Sequence, residues 1–299
     1  MEAESNPLKC EICPRRCGIE RNKTSGFCGM RELPMAAKAS LHPYEEPILS
    51  GSRGSGAIFF SGCNLKCCYC QNYSISRGEV GKIITVERLS EIYLDLQDKG
   101  AHNINLVNPT LFTDSIIESI KAVKQKITIP FVWNSSGYER VESLRKLEGL
   151  IEVFLPDLKY VSTRLSALYS GAGDYFKYAS QALLEMYRQA GGVCLNQEGL
   201  IEKGLIIRHL VLPNSTHDSL KVLQWIRENI PEDAYISLMG QYTPTPNTQN
   251  IRGLARRLSK REYDLVVNRL HELDLKNGFI QGLDSAYSEY TPDFDLSGL

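Results

Sequence analysis

From residue 57 to residue 240, short unbroken apolar runs alternate with segments whose apolar residues return every three or four positions. The runs are AIFF, NINLV, IPFVW, IEVFL, GLIIRHLVL and AYISLM. Their length and their turn-rich flanks predict buried strands. Between them, Val86, Leu89, Ile92, Tyr93 and Leu96 share one face of a predicted helix that stops at Gly100. SIIESIKAV opens with Ser115 and Glu118 in the spacing of a capping box. ERVESLRKL follows, then a long helical stretch over 163–190 interrupted at GAGD, then DSLKVLQWIREN. SKREYDLVVNRLHEL closes the series, with Ser259 and Glu262 spaced as a second capping box and Val266, Val267, Leu270 and Leu273 on one stripe.

These are six strand–helix units. Parallel strands joined by helical crossovers bury both sheet faces, so the pattern predicts an α/β fold. Six units fall short of a closed eight-stranded barrel, so the expected architecture is an open, partial (βα)6 barrel. The first fifty residues hold two cysteine pairs, five prolines and little periodicity, and are read as an irregular, cysteine-rich metal-binding lobe. SGSRGSGA then marks a junction or tight turn, since no Gly-Lys-Ser/Thr follows to make it a phosphate loop. The expected division is a lobe at 1–50, a core at 51–283 and a polar surface strap at 284–299.

Composition removes several classes of function. The 299 residues are 42% hydrophobic and 23% charged with a formal net charge of -1, which leaves no basic footprint for nucleic acid. The apolar stretches are too short to span a bilayer, and MEAESNPLKC lacks the basic start and apolar run of a secretory signal. The expectation is a cytoplasmic protein with no membrane or nucleic-acid partner. Thiols stay reduced there, so nine cysteines do not read as a disulfide framework. Eight of them lie within the first 70 residues, which points to metal; Cys194 alone is remote and reads as a small buried hydrophobe.

The cysteine run SGCNLKCCYC follows AIFF directly. In parallel α/β folds chemistry collects at the carboxyl ends of strands. Cys63, Cys67 and Cys70 offer three thiolates from one tight loop, while Cys68 points to the other side and reads as a bystander. Three sulfur ligands on a four-iron cluster leave one iron open, whereas a closed electron-transfer centre takes four.

Cys-x3-Cys-x2-Cys after the first strand of six such units is similar to the signature of the radical S-adenosylmethionine (SAM) superfamily. The resemblance implies a [4Fe-4S] cluster on Cys63, Cys67 and Cys70 whose open iron chelates SAM, and reductive cleavage of SAM to a 5′-deoxyadenosyl radical that abstracts hydrogen. It implies an adenine-side role for Tyr69 and an electron donor such as flavodoxin or ferredoxin. The segments GSGAIFFSGCNLKCCYCQNYSIS, INLVNPT, FLPDLKY, RHLVLP and LMGQYTP resemble, in order, the pyruvate formate-lyase activating enzyme-like group. Activases proper carry Gly-Gly-Glu-Pro after the second strand, where this chain has Val107, Asn108, Pro109 and Thr110. That departure leaves the contact to the SAM amino group open.

The other predicted strands also end in polar groups suited to a zwitterionic nucleoside. These are Asn108 and Thr110, then Asn134, Ser135 and Ser136, then Asp157 and Lys159, then Arg208, then Gln241 and Tyr242. Arg208 suits a carboxylate through its planar fork. His209 alternates to the opposite face and reads as a hydrogen-bonded core residue. The expected cofactor-binding set is Tyr69, Asn108, Asn134, Ser136, Asp157, Lys159, Arg208 and Gln241; no residue is assigned to catalysis.

CEICPRRCGIERNKTSGFCG supplies Cys10, Cys13, Cys17 and Cys28. Four thiolates suit either a structural zinc or an auxiliary iron–sulfur cluster, and both readings stand. The resemblance implies a protein or small-molecule substrate, with activation of a glycyl radical enzyme as one form of the former. A rival from another class is a non-catalytic iron–sulfur or zinc module that carries electrons or scaffolds an assembly.

Overall fold

The computed structural model describes residues 9–283 and 292–299; residues 1–8 of the expected lobe and 284–291 of the expected strap lie outside the described residues. The chain runs β1 (Met35–His42), α1 (Pro47–Ser50), β2 (Ser55–Phe60), α2 (Tyr73–Ser76), β3 (Lys82–Ile83), α3 (Val86–Asp98), β4 (Ile104–Val107) and α4 (Thr113–Val123). It continues through β5 (Phe131–Ser135), α5 (Val141–Arg145), β6 (Val153–Pro156), α6 (Thr163–Ser170), α7 (Tyr175–Ala190) and β7 (Cys194–Leu195). β8 (Ile201–Leu210), α8 (Thr216–Asn229), β9 (Tyr235–Met239), α9 (Lys260–Glu272) and β10 (Gly278–Ile280) complete it.

The sheet order is β10-β9-β8-β6-β5-β4-β2-β1-β3. From β2 to β10 every neighbour along that order is parallel, in registers such as Ile58↔Leu106, Leu106↔Trp133 and Arg208↔Ser237. The six expected strands are β2, β4, β5, β6, β8 and β9. Alternation assigns their faces. Ile58 and Phe60 of β2 join the large core under the helices, whereas Ala57 and Phe59 join a small cluster on the opposite face with Ile75.

The helices follow local chemistry. Thr85 caps α3 by accepting from the Arg88 N–H, and Leu89, Ile92, Tyr93 and Leu96 are buried on one stripe. Ser259 and Glu262 form both halves of the capping box on α9. Gly171, at φ +59°, ends α6 and separates it from α7, as the GAGD break predicted.

Several expectations fail. α4 begins at Thr113 rather than behind a Ser115 cap, because a 3-10 turn at Pro109–Phe112 feeds it directly and Thr113 Oγ1 donates to the Thr110 carbonyl. Residues 35–50 do not belong to an irregular lobe. Met35–His42 form an edge-side strand antiparallel to β2, and Pro47–Ser50 a short helical turn whose Leu49 packs on Val132, Val153, Leu155 and Ile206. Ala36, Ala37 and Ala39 are all buried, so β1 shows no alternation to read. Cys194 is exposed rather than buried, because β7 is a two-residue hairpin strand against the outer end of β8.

His209 occupies the core side of β8, 2% exposed, with Nδ1 2.7 Å from the Leu158 carbonyl. Burial pushes its pKa down to about 4, so the folded protein holds it neutral with Nδ1–H donating. An unfolded chain protonates this histidine near pH 6.5, so acidification from 6.5 towards 4 should cost about 3 kcal/mol at this position. Urea unfolding of wild type and His209→Gln across that window should show the variant with a flatter stability profile; parallel profiles would exclude the assignment.

Candidate functional site

β2 delivers the chain into the cysteine loop through Gly62, whose φ of +83° and position against Met30 leave no room for a side chain: a Cβ there would lie 2.3 Å from Met30 Cγ. The loop is held from several sides. Asn64 Nδ2 donates to the Tyr138 carbonyl at 2.8 Å, the Cys68 N–H to the Tyr169 carbonyl at 2.8 Å, and Thr245 Oγ1 to the Cys68 carbonyl at 3.0 Å.

Cys63, Cys67 and Cys70 line one cavity of about 660 Å3 at the carboxyl ends of the parallel strands, and Cys68 does not line it. The volume falls in the range of small-molecule and cofactor sites. Burial pushes the Cys70 thiol up to about 12, and neighbouring Cys67 and Cys63 push the same way. Three soft sulfur donors on one loop favour a cation that takes them as thiolates, which is the donor chemistry of an iron–sulfur cluster. Among the described residues no group of three or more His, Cys, Asp or Glu is gathered tightly enough for a single ion.

The same cavity collects the eight residues of the expected cofactor-binding set: Tyr69, Asn108, Asn134, Ser136, Asp157, Lys159, Arg208 and Gln241 all line it, as do Ser135 and Tyr242. Asn108 adopts φ +60° and its amide reaches the Gly62 carbonyl, tying the end of β4 to the cysteine loop. Among the described residues Ser136 Oγ is buried and without a hydrogen-bond partner, a polar atom available to a ligand. Lys159 Nζ pairs with Asp157. Burial opposes the lysine's charge, but Asp157 and then Cys67 outweigh it and hold Lys159 protonated. Gln281 Nε2 donates to Gln241 Oε1 at 2.9 Å, so β10, absent from the sequence reading, contributes to the wall. Thr110 is not part of this wall; its hydroxyl donates to Glu139 Oε1 at 2.6 Å inside the core.

Arg208 faces the cavity, but its fork is already taken. Nε donates to Glu46 Oε1 at 2.8 Å, and Nη2 reaches both Glu46 and Glu45. The Glu45 and Glu46 side chains are 8% and 6% exposed. Burial alone would raise the Glu46 pKa; the Arg208 guanidinium overrides it and holds the carboxyl below its usual range. Sequence reasoning missed both glutamates because they precede α1, in a segment read as irregular. The signal was an arginine in a buried strand, which requires an anionic partner. His42 also lines this end.

At the other end of the chain, Cys10, Cys13, Cys17 and Cys28 line a second, small cavity with Arg15, Arg21 and Phe27. Burial pushes the Cys13 thiol up to about 11, and Cys10, Cys28 and Cys17 add to it.

The parallel α/β sheet and its three-cysteine loop both have counterparts among known proteins. The model of the 4Fe-4S single cluster domain matches residues 50–163. The chain is 30% identical over 288 residues to MJ0674 of Methanocaldococcus jannaschii, covering 92% of this chain and 79% of that protein, and it belongs to the same family. It is 22% identical over 247 residues to MJ0808 of the same organism, covering 76% and 68%. Its fold matches SuiB of Streptococcus suis, solved with the precursor peptide SuiA, at a TM-score of 0.51 and 15% identity over 76% of this chain. The chain spans about half of SuiB, 48%.

The buried ion cluster makes a specific expectation. Arg208→Gln should destabilise the fold by roughly 3–5 kcal/mol, because it strands two buried carboxylates, and Glu46→Gln in the same background should restore part of the loss. Chemical denaturation of wild type and the two variants measures this; equal stability of Arg208→Gln and wild type would show that the cluster is not held as described.

Proposed function

We propose that this protein is a radical SAM enzyme of the pyruvate formate-lyase activating enzyme-like group, built as an open partial barrel with a cysteine-rich N-terminal lobe. The observation that carries the reading is that one cavity is lined by Cys63, Cys67, Cys70 and all eight residues of the expected cofactor-binding set. A [4Fe-4S] cluster with SAM bound would supply one-electron reductive cleavage of SAM, and with it the radical chemistry of hydrogen abstraction. This chain's residues bind and orient. Cys63, Cys67 and Cys70 hold the cluster, and Asn108, Asn134, Ser136 and Gln241 offer neutral hydrogen bonds to ribose and amino acid groups. Asp157 accepts from hydroxyl or ammonium hydrogens, and Lys159, paired with it, orients that carboxylate. Tyr69, buried on its loop, presents an aromatic wall. Arg208, occupied by Glu45 and Glu46, fixes the deep end of the cavity and meets a ligand carboxylate only by releasing one of them.

The substrate is a polypeptide, including a glycyl radical enzyme, or a small molecule. The electron donor is a small low-potential protein of the flavodoxin or ferredoxin kind, and the setting is cytoplasmic; among the described residues no helix is long and apolar enough to cross a membrane. Cys10, Cys13, Cys17 and Cys28 form a second metal site.

Anaerobically reconstituted protein, reduced with dithionite and given SAM, should release 5′-deoxyadenosine, and Cys67→Ala should not. Wild type that binds iron yet leaves SAM intact would favour an electron-transfer or scaffold module instead. Metal analysis separates the lobe's two forms: about eight irons per chain means a second cluster, about four irons with one zinc means a structural clip. Cys10→Ala/Cys13→Ala should remove only the second component.

A further inference from the structure

The inner side of the cysteine loop is tied to a line of buried hydroxyls. Cys67 Sγ lies 3.0 Å from Ser170 Oγ. Ser170 Oγ lies 3.0 Å from Tyr160 Oη, which lies 2.5 Å from Tyr69 Oη. All four residues are buried, Ser170 and Tyr160 to 1% exposure. Each hydroxyl carries one hydrogen, and a sulfur bound to iron as thiolate only accepts. The direction of the line is then fixed: Ser170 donates to Cys67, Tyr160 to Ser170, and Tyr69 to Tyr160. Tyr69 and Cys67, two residues apart on one loop, are thereby joined through α6 and the segment after β6.

Ser170 is itself anchored from the N-terminal lobe. It is the last residue of α6, and Arg15 covers that helix end, with Nη1 2.8 Å from the Gly171 carbonyl and Nη2 3.4 Å from the Ser170 carbonyl. A cation there is favoured by the unsatisfied carbonyls and the helix dipole. Arg15 Nε also donates to the Asn64 carbonyl of the cysteine loop at 2.8 Å, and the guanidinium lies over the Phe27 ring at 4.0 Å. Arg15 stands between Cys13 and Cys17, so one side chain spans the four-cysteine lobe, the cysteine loop and the end of α6.

We propose, resting on the reading that Cys63, Cys67 and Cys70 hold a four-iron cluster, that Ser170 is a positioning residue that raises the cluster's reduction potential through its hydrogen bond to Cys67 Sγ, and that Arg15 locks Ser170 in place. One-electron reduction by an external donor adds negative charge to the cluster and its sulfur ligands, and no proton leaves Ser170. A donor aimed at one sulfur stabilises the reduced form more than the oxidised form, and hydrogen bonds to sulfur are among the levers that set such potentials. The effect is strengthened where the hydroxyls polarise one another away from water.

EPR-monitored titration of the anaerobic, reconstituted full chain with dithionite, with iron counted on the same samples, tests this. Ser170→Ala should keep its iron and show a more negative midpoint, Ser170→Thr should stay near wild type, and Tyr160→Phe and Arg15→Gln should each shift the same way by less. An unmoved midpoint in iron-replete Ser170→Ala overturns the proposal. Should that variant fail to hold iron, Tyr160→Phe decides: a negative shift supports the relay, and an unmoved midpoint overturns it. Full iron content in Cys67→Ala would instead sink the ligand assignment beneath it, an outcome read from metal analysis alone.

Discussion

Everything at the cavity depends on parallel pairing in one register direction. Because β2, β4, β5, β6, β8 and β9 run the same way, all of them end on the same side. Side chains alternate along each strand, so a residue at a strand end faces either the helices or the interior. β8 shows this most sharply, since Arg208 turns to the cavity while His209, one residue on, is buried under the helical layer. Reversing a single strand would move its polar terminus to the far side and open the ring of groups around the cysteine loop.

The interior is closed beneath that ring by a segment that is not part of the repeating pattern. After β1 the chain crosses under the sheet, and Leu49 fills the apolar floor while Glu45 and Glu46 reach up to Arg208. Two carboxylates against one guanidinium leave this floor formally one negative charge in excess, tempered by the Asn105 amide, which donates to Glu45 Oε1 at 2.8 Å. The cavity thus has a sulfur-rich end, a balanced Asp157–Lys159 pair and an anionic deep end. A ligand lying across it meets a gradient of charge, which fixes orientation more than it adds affinity.

What could be read from residues alone follows from which patterns carry period. Continuous apolar runs and helical stripes located six strands and the longer helices, since burial on both faces of a parallel sheet leaves those marks. The cysteine spacing is local and chemical, so Cys63, Cys67 and Cys70 stand out without any fold, whereas the strand-end polar residues rest on position alone, which brings Asn108, Asn134 and Asp157 to the cavity but not Thr110. The rest depended on contacts between distant segments. The alanines of β1 have no periodic contrast, β10 has three residues, and the glutamates that occupy Arg208 sit more than 160 positions away. The Ser170 hydroxyl likewise lies 103 positions from Cys67. Sequence required a counter-charge for Arg208 and could not say which segment brings it.

Residues 292–299 bear on a different property. The Leu296 N–H donates to the Ala37 carbonyl and the Ala39 N–H to the Ser297 carbonyl, on the side of β1 that β2 leaves free, while Lys38 grips Asp295 and Phe294 packs against Phe59. Unsatisfied amides along a rim of this kind recruit foreign strands. Here residues 294–297 occupy them, so removing that segment would turn a self-sealed margin into a template for clumping.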